Sequence, residues 1–120
     1  MALLCHSVHA QKLYGFVLEQ NSGNKPVPGV MVKAMLANQT LTTANGSYTL
    51  TFQNAKPGYT AVLNIEKEKW VITEASKLEV NLPIDPFSHP HTIIMCRAEV
   101  WVKQNQDNNK LLNKILQDAL

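Results

Sequence analysis

Asn45-Gly46-Ser47-Tyr48-Thr49-Leu50-Thr51-Phe52 decides the fold class. Tyr48, Leu50 and Phe52 fall on one side of an extended chain, and Ser47, Thr49 and Thr51 on the other. That period of two marks a half-buried strand. Asn45-Gly46 ahead of it tolerates positive φ at both residues, the strongest hairpin signal in the chain.

The same period extends outward in both directions. Upstream, residues 13–19 are rich in β-formers, and residues 30–36 place Val30, Val32 and Ala34 on one face. Residues 41–43 make a short third strand. Downstream, residues 60–66 turn Ala61, Leu63 and Ile65 inward, residues 70–73 follow, and residues 77–82 alternate Leu78, Val80 and Leu82 with polar neighbours. Residues 92–102 are the most apolar run and read as a strand buried on both faces or bent by a bulge. Turn chemistry separates the strands: Asn21 to Asn24, Pro26-Val27-Pro28-Gly29, Pro57-Gly58, the charged Glu66-Lys67-Glu68-Lys69, and a loop from Pro83 to Pro90.

After residue 103 the period changes. Asn105 to Asn109 offer a helix cap, and Leu111, Leu112, Ile115, Leu116 and Ala119 recur at helical spacing. So short a helix needs something to pack on. The pattern predicts an all-β protein: a Greek-key antiparallel β-sandwich of about seven strands, with a short C-terminal helix. Residues 1–10 are expected to be a leader, residues 11–103 the β-domain, and residues 104–120 the helix or a linker to another domain.

Composition narrows the function classes. The 120 residues are one domain by length, with 45% hydrophobic and 17% charged residues. That rules out wholesale disorder. Eleven Lys+Arg stand against nine Asp+Glu, and Arg97 is the only arginine. A duplex-reading surface relies on clustered Arg for bidentate contacts, so no nucleic-acid partner is expected. No apolar run reaches the roughly 18 residues of a spanning helix. The start of the chain ends in Val8-His9-Ala10, spaced as at a signal-peptidase site; a signal-peptide remnant there would put the protein outside the cytoplasm, and the other reading is a disordered leader. Cys96, in an apolar run, reads as a small buried hydrophobe.

The stretch from Tyr14 to Ile72 resembles the carboxypeptidase regulatory-like family, whose fold is a transthyretin-like (prealbumin-like) β-sandwich. The resemblance rests on Gly15-Phe16-Val17, on Gly23 with Pro26-Val27-Pro28-Gly29-Val30, and on Thr40-Leu41-Thr42-Thr43 leading into Asn45-Gly46-Ser47-Tyr48. Gly58-Tyr59 and the strand ending at Ile65 complete it. It departs from the family at Thr43, where an acidic residue is usual, and at Lys69-Trp70, where a Gly-Tyr pair is usual. The resemblance implies a non-catalytic module attached to other parts of an envelope or secreted protein, bacterial and periplasmic in the arrangement it most looks like. Its partners would be other domains of the same polypeptide or envelope proteins. It implies no cofactor.

The residues that could carry chemistry are few. His89-Pro90-His91 with Asp85 offers two imidazoles and a carboxylate to a metal, but no fourth ligand is evident, so an exposed loop is the favoured reading. No nucleophile elbow or phosphate loop is present, and no catalytic residue is assigned. Of the two tryptophans, Trp101 lies in the apolar run and is expected in the core. Trp70 follows a charged loop and is the candidate for an exposed ring that stacks on a glycan or peptide.

Overall fold

The structure, a computed structural model, describes residues 11–56, 58–83 and 90–119. Among the described residues eight strands form: β1 (Gln11–Glu19), β2 (Met31–Ala34), β3 (Thr40–Leu41), β4 (Ser47–Phe52), β5 (Thr60–Glu66), β6 (Trp70–Ile72), β7 (Glu79–Asn81) and β8 (His91–Arg97). A 3₁₀ turn at Ala75–Leu78 precedes β7, and the helix α1 (Ala98–Ala119) follows β8 directly. The strands make two four-stranded sheets, β4-β1-β8-β6 and β3-β2-β5-β7. The N-terminal ten residues and the Asp85–His89 part of the loop lie outside the described residues.

One core joins the sheets. Leu13 and Val17 of β1, Tyr48, Leu50 and Phe52 of β4, and Ile93 and Met95 of β8 face Val32 of β2 and Ala61 and Leu63 of β5. The alternation read in 47–52 is therefore the inward face of β4. Burying each of these large side chains stabilises the fold by roughly 1.5–3 kcal/mol relative to exposure.

Three expectations are corrected. First, the pairings are not all antiparallel: β1 and β8 run parallel, with Gly15 opposite His91 and Leu18 opposite Ile94. Second, Asn45-Gly46 does not close a hairpin within one sheet. The turn is tight, with Gly46 N–H bonded to Thr43 O and Thr43 N–H to Ser47 O, but β3 pairs with β2 and β4 with β1. Gly46 holds the corner because its φ is +78° and a Cβ there would meet Val17 O at 2.6 Å. Third, 92–102 is not one strand. The chain turns helical at Ala98, whose N–H makes a last sheet-like bond to Lys69 O. α1 thus begins six residues before the 104–120 segment expected to hold it, and Glu99 sits in its first turn, where a carboxylate suits the helix dipole.

Two local devices fix the sheets against each other. The connector from Pro26 to Val30 crosses beside the end of β1, with Val27 N–H bonded to Val17 O. Thr42, a buried polar residue, ties it down: its hydroxyl donates to Val27 O (2.7 Å) and accepts from Val30 N–H (2.9 Å). At the parallel pair, Tyr48 lies across Gly15, and its hydroxyl donates to His91 O at 3.0 Å. A Cβ at Gly15 would stand 2.2 Å from His91 O and 2.4 Å from the Tyr48 ring.

Candidate functional site

The two sheets turn different outer faces to solvent. On β3-β2-β5-β7 the outward positions include Lys33, Asn64, Glu66, Glu79 and Asn81, with Val62 and the cross-strand pair Met31–Leu41 among them. Lys33 and Glu66 form an ion pair at 3.7 Å across this face. That is an ordinary solvated surface.

The outward face of β4-β1-β8-β6 is apolar along its middle. Leu13, Gly15 and Val17 face the core, so Tyr14, Phe16 and Leu18 face out. The parallel register sets Leu18 beside Ile94 of β8, and Val71 of β6 stands opposite Cys96. Tyr14 is 48% exposed, while Phe16, Leu18, Val71 and Ile94 are half-buried. None of these belongs to the inter-sheet core. Burial, and secondarily the charge of Glu19, push the Cys96 thiol above its ordinary value. Sequence reading missed this surface. Its signal was present in β1, where apolar residues occupy both faces, unlike β4 with its Ser and Thr on one side.

α1 springs from β8, at the end of this face. Its start packs on β8 and β6, leaving Ala98, Trp101 and Gln104 half-buried. Every side chain described beyond Gln104 is exposed, including Leu111 at 59% and Ile115 at 55%. At about 1.5 Å per residue, α1 reaches some 33 Å, most of it away from the β-domain. Trp101 is thus a half-buried helix residue, not the core strand residue expected. Among the described residues no helix is long and apolar enough to cross a membrane.

Trp70 opens β6 at the end of the domain where α1 begins. The turn before it closes with Trp70 N–H on Lys67 O, and Lys69 takes a left-handed φ of 70°. The indole is half-buried against the core, with the Arg97 guanidinium 5.6 Å from its ring centroid. A cation so placed is attracted by the ring quadrupole. Two grooves flank the ring. One of about 570 Å³ is lined by Lys69, Arg97 and Glu99; a more open one of about 950 Å³ runs past Met31, Gln39 and Glu66. The expected exposed aromatic is therefore half-covered: a sugar stacking on the ring where Arg97 sits would have to move the guanidinium.

The metal candidates are not brought together in what is described. Asp85 and His89 lie outside the described residues. His91 starts β8 half-buried, with Nε2 in contact with Lys77 O. Among the described residues no three ligating side chains converge. Neither a protein-family model nor a curated protein matches the chain.

Proposed function

We propose that this protein is a non-catalytic accessory module of a larger cell-envelope or secreted protein, and that it binds a neighbouring domain through the outward face of β4-β1-β8-β6. The observation that carries the reading is the contrast between the two outer faces. The second sheet turns mostly polar residues outward, with Met31, Leu41 and Val62 spaced among Lys33, Asn64, Glu66, Glu79 and Asn81. The first presents Tyr14, Phe16, Leu18, Val71 and Ile94 instead, and contiguous apolar surface of this kind marks a binding site. α1 begins at the end of this face and carries the exposed Leu111 and Ile115, so the partner proposed spans both.

Strand edges support the face over edge-to-edge pairing. β3 has two residues, and β6 and β7 have three each. β4 is longer, but Thr51 N–H is bonded to Asn38 Oδ1 and Gln53 N–H to Leu36 O. Short or covered edges are poor templates for an added strand.

The architecture proposed is a transthyretin-like Greek key. It is supported by β4 returning to lie beside β1 after β2 and β3 have paired in the other sheet. The carboxypeptidase regulatory-like resemblance and the location outside the cytoplasm rest on the sequence patterns given above. The test is the native assembly size, read on native gels from the cell of origin. Phe16→Lys shifts the protein to its free size while Val62→Lys, on the polar face, leaves it assembled. Equal migration of both variants, with both folded by circular dichroism, contradicts the proposal.

A second reading is a glycan- or peptide-binding module at Trp70, favoured by the grooves on either side of the ring. In a Trp101→Phe background, ligand arrays that quench the remaining indole would support it. A silent indole would leave the interaction face alone.

A further inference from the structure

At the end of the domain opposite α1, the β2–β3 turn exposes two large apolar side chains. Met35 is 76% exposed and Leu36 44%. The turn closes with Ala37 N–H on Ala34 O, and Leu36, its third residue, has a φ of +69°. That is the position where type II turns favour Gly or Asn, because a side chain there meets its own backbone. The rest of the chain follows the rule: apart from Lys69, the other left-handed positions among the described residues are four glycines and three asparagines. A leucine is kept here in spite of the backbone, and its side chain is left in water.

The turn is held rigidly, since Leu36 O accepts from Gln53 N–H at 2.7 Å and Asn38 Oδ1 accepts from Thr51 N–H at 2.7 Å. The same end of the domain carries two cations. Lys12 lies opposite Thr51 in the β1–β4 register, and Lys56 follows Gln53 by three residues. Both are exposed, and neither makes an ion pair among the described residues. From residue 12 to residue 65 the only acidic residue is Glu19, at the far end of β1.

We infer that this corner is a docking tip for an anionic lipid surface. Met35 and Leu36 enter the headgroup layer, and Lys12 and Lys56 meet the lipid phosphates. The charge of the corner selects the occupant. An apolar tip with two unpaired cations at the same end of the domain, and no carboxylate beside it among the described residues, matches an anionic interface, where each nearby lysine is worth about fivefold in partition. The attachment is weak and reversible. It lies below the roughly 10⁴ M⁻¹ of a single acyl chain and therefore shows at millimolar lipid. It does not depend on the sheet-face reading.

The experiment is co-sedimentation of the 120-residue chain with vesicles of mixed phosphatidylcholine and phosphatidylglycerol, and with pure phosphatidylcholine. Binding to the mixed vesicles, and about 25-fold less to pure phosphatidylcholine, is expected. Leu36→Asn relieves the left-handed backbone, so it melts no lower than the parent, yet binds about fivefold less. The pair Lys12→Gln with Lys56→Gln loses about 25-fold. Equal binding to both vesicle types overturns the inference, as does its absence on the mixed vesicles. Binding that falls with the lysine pair but survives Leu36→Asn means charge attraction without insertion, and overturns it too. Association with soluble polyglutamate as tight as with the vesicles assigns the corner to an acidic protein and also contradicts it.

Discussion

Gly15 occupies a point where three strands crowd, and the reason is local. Its neighbour on one side is the backbone of β8, and on the other the ring of Tyr48 closes over it. A glycine inside a strand often marks such a close approach. Gly15→Ala is predicted to cost about 3 kcal/mol or more, because His91 O is backbone and has nowhere to go. Urea unfolding would measure it. Tyr48 itself gives a pH prediction. Burial holds its phenol well above the ordinary value of 10.0, and the Cys96 thiol is likewise raised above 9.0. Both groups stay protonated in the folded state while the unfolded chain ionises, so the unfolded state binds fewer protons as pH rises. Stability is full below the ordinary values and falls above them. Melting temperature should therefore drop from about pH 9 upward. Cys96→Ala should flatten the earlier part of that fall and Tyr48→Phe the part above pH 10.

Legibility differs between elements. The strands were readable wherever one face was polar: β4 and β5 lie where the alternation put them, and the inward residues are those expected. What a strand pairs with was not readable. Asn45-Gly46 and the Glu66–Lys69 stretch both signal turns, but each carries the chain from one sheet to the other. Local chemistry sets a turn, whereas the next partner is chosen by packing far away in sequence. The break at Ala98 was hidden because the apolar run continues through Val100, Trp101 and Val102 with no Gly, Pro or Asn to mark it. Of the candidate site, Trp70 was found as an aromatic after a charged loop. The outward apolar face was not, since it becomes visible only when β1 and β8 are set side by side. α1 allows a test at this scale. All its side chains described beyond Gln104 are exposed, so ending the chain after Gln104 should move the melting temperature of the β-domain by less than about 2 °C. A larger drop would show that the distal helix packs on the sheets.

Across the molecule, three surfaces divide the work. In the function proposed, the more polar outer sheet meets solvent, the apolar outer sheet and α1 meet a partner, and the Met35–Leu36 corner meets lipid at the opposite end. Holding these surfaces at fixed positions requires a rigid body between them. The single core shared by both sheets, the Thr42 tie and the Tyr48–His91 bond supply it. The most direct measurement is photo-crosslinking in the cell of origin, with benzoylphenylalanine placed at Tyr14 or, on the other sheet, at Val62. The account predicts one discrete crosslinked species from position 14, mapping to a neighbouring domain or envelope protein, and none from position 62. Crosslinks from both positions alike, or from position 62 alone, would contradict it.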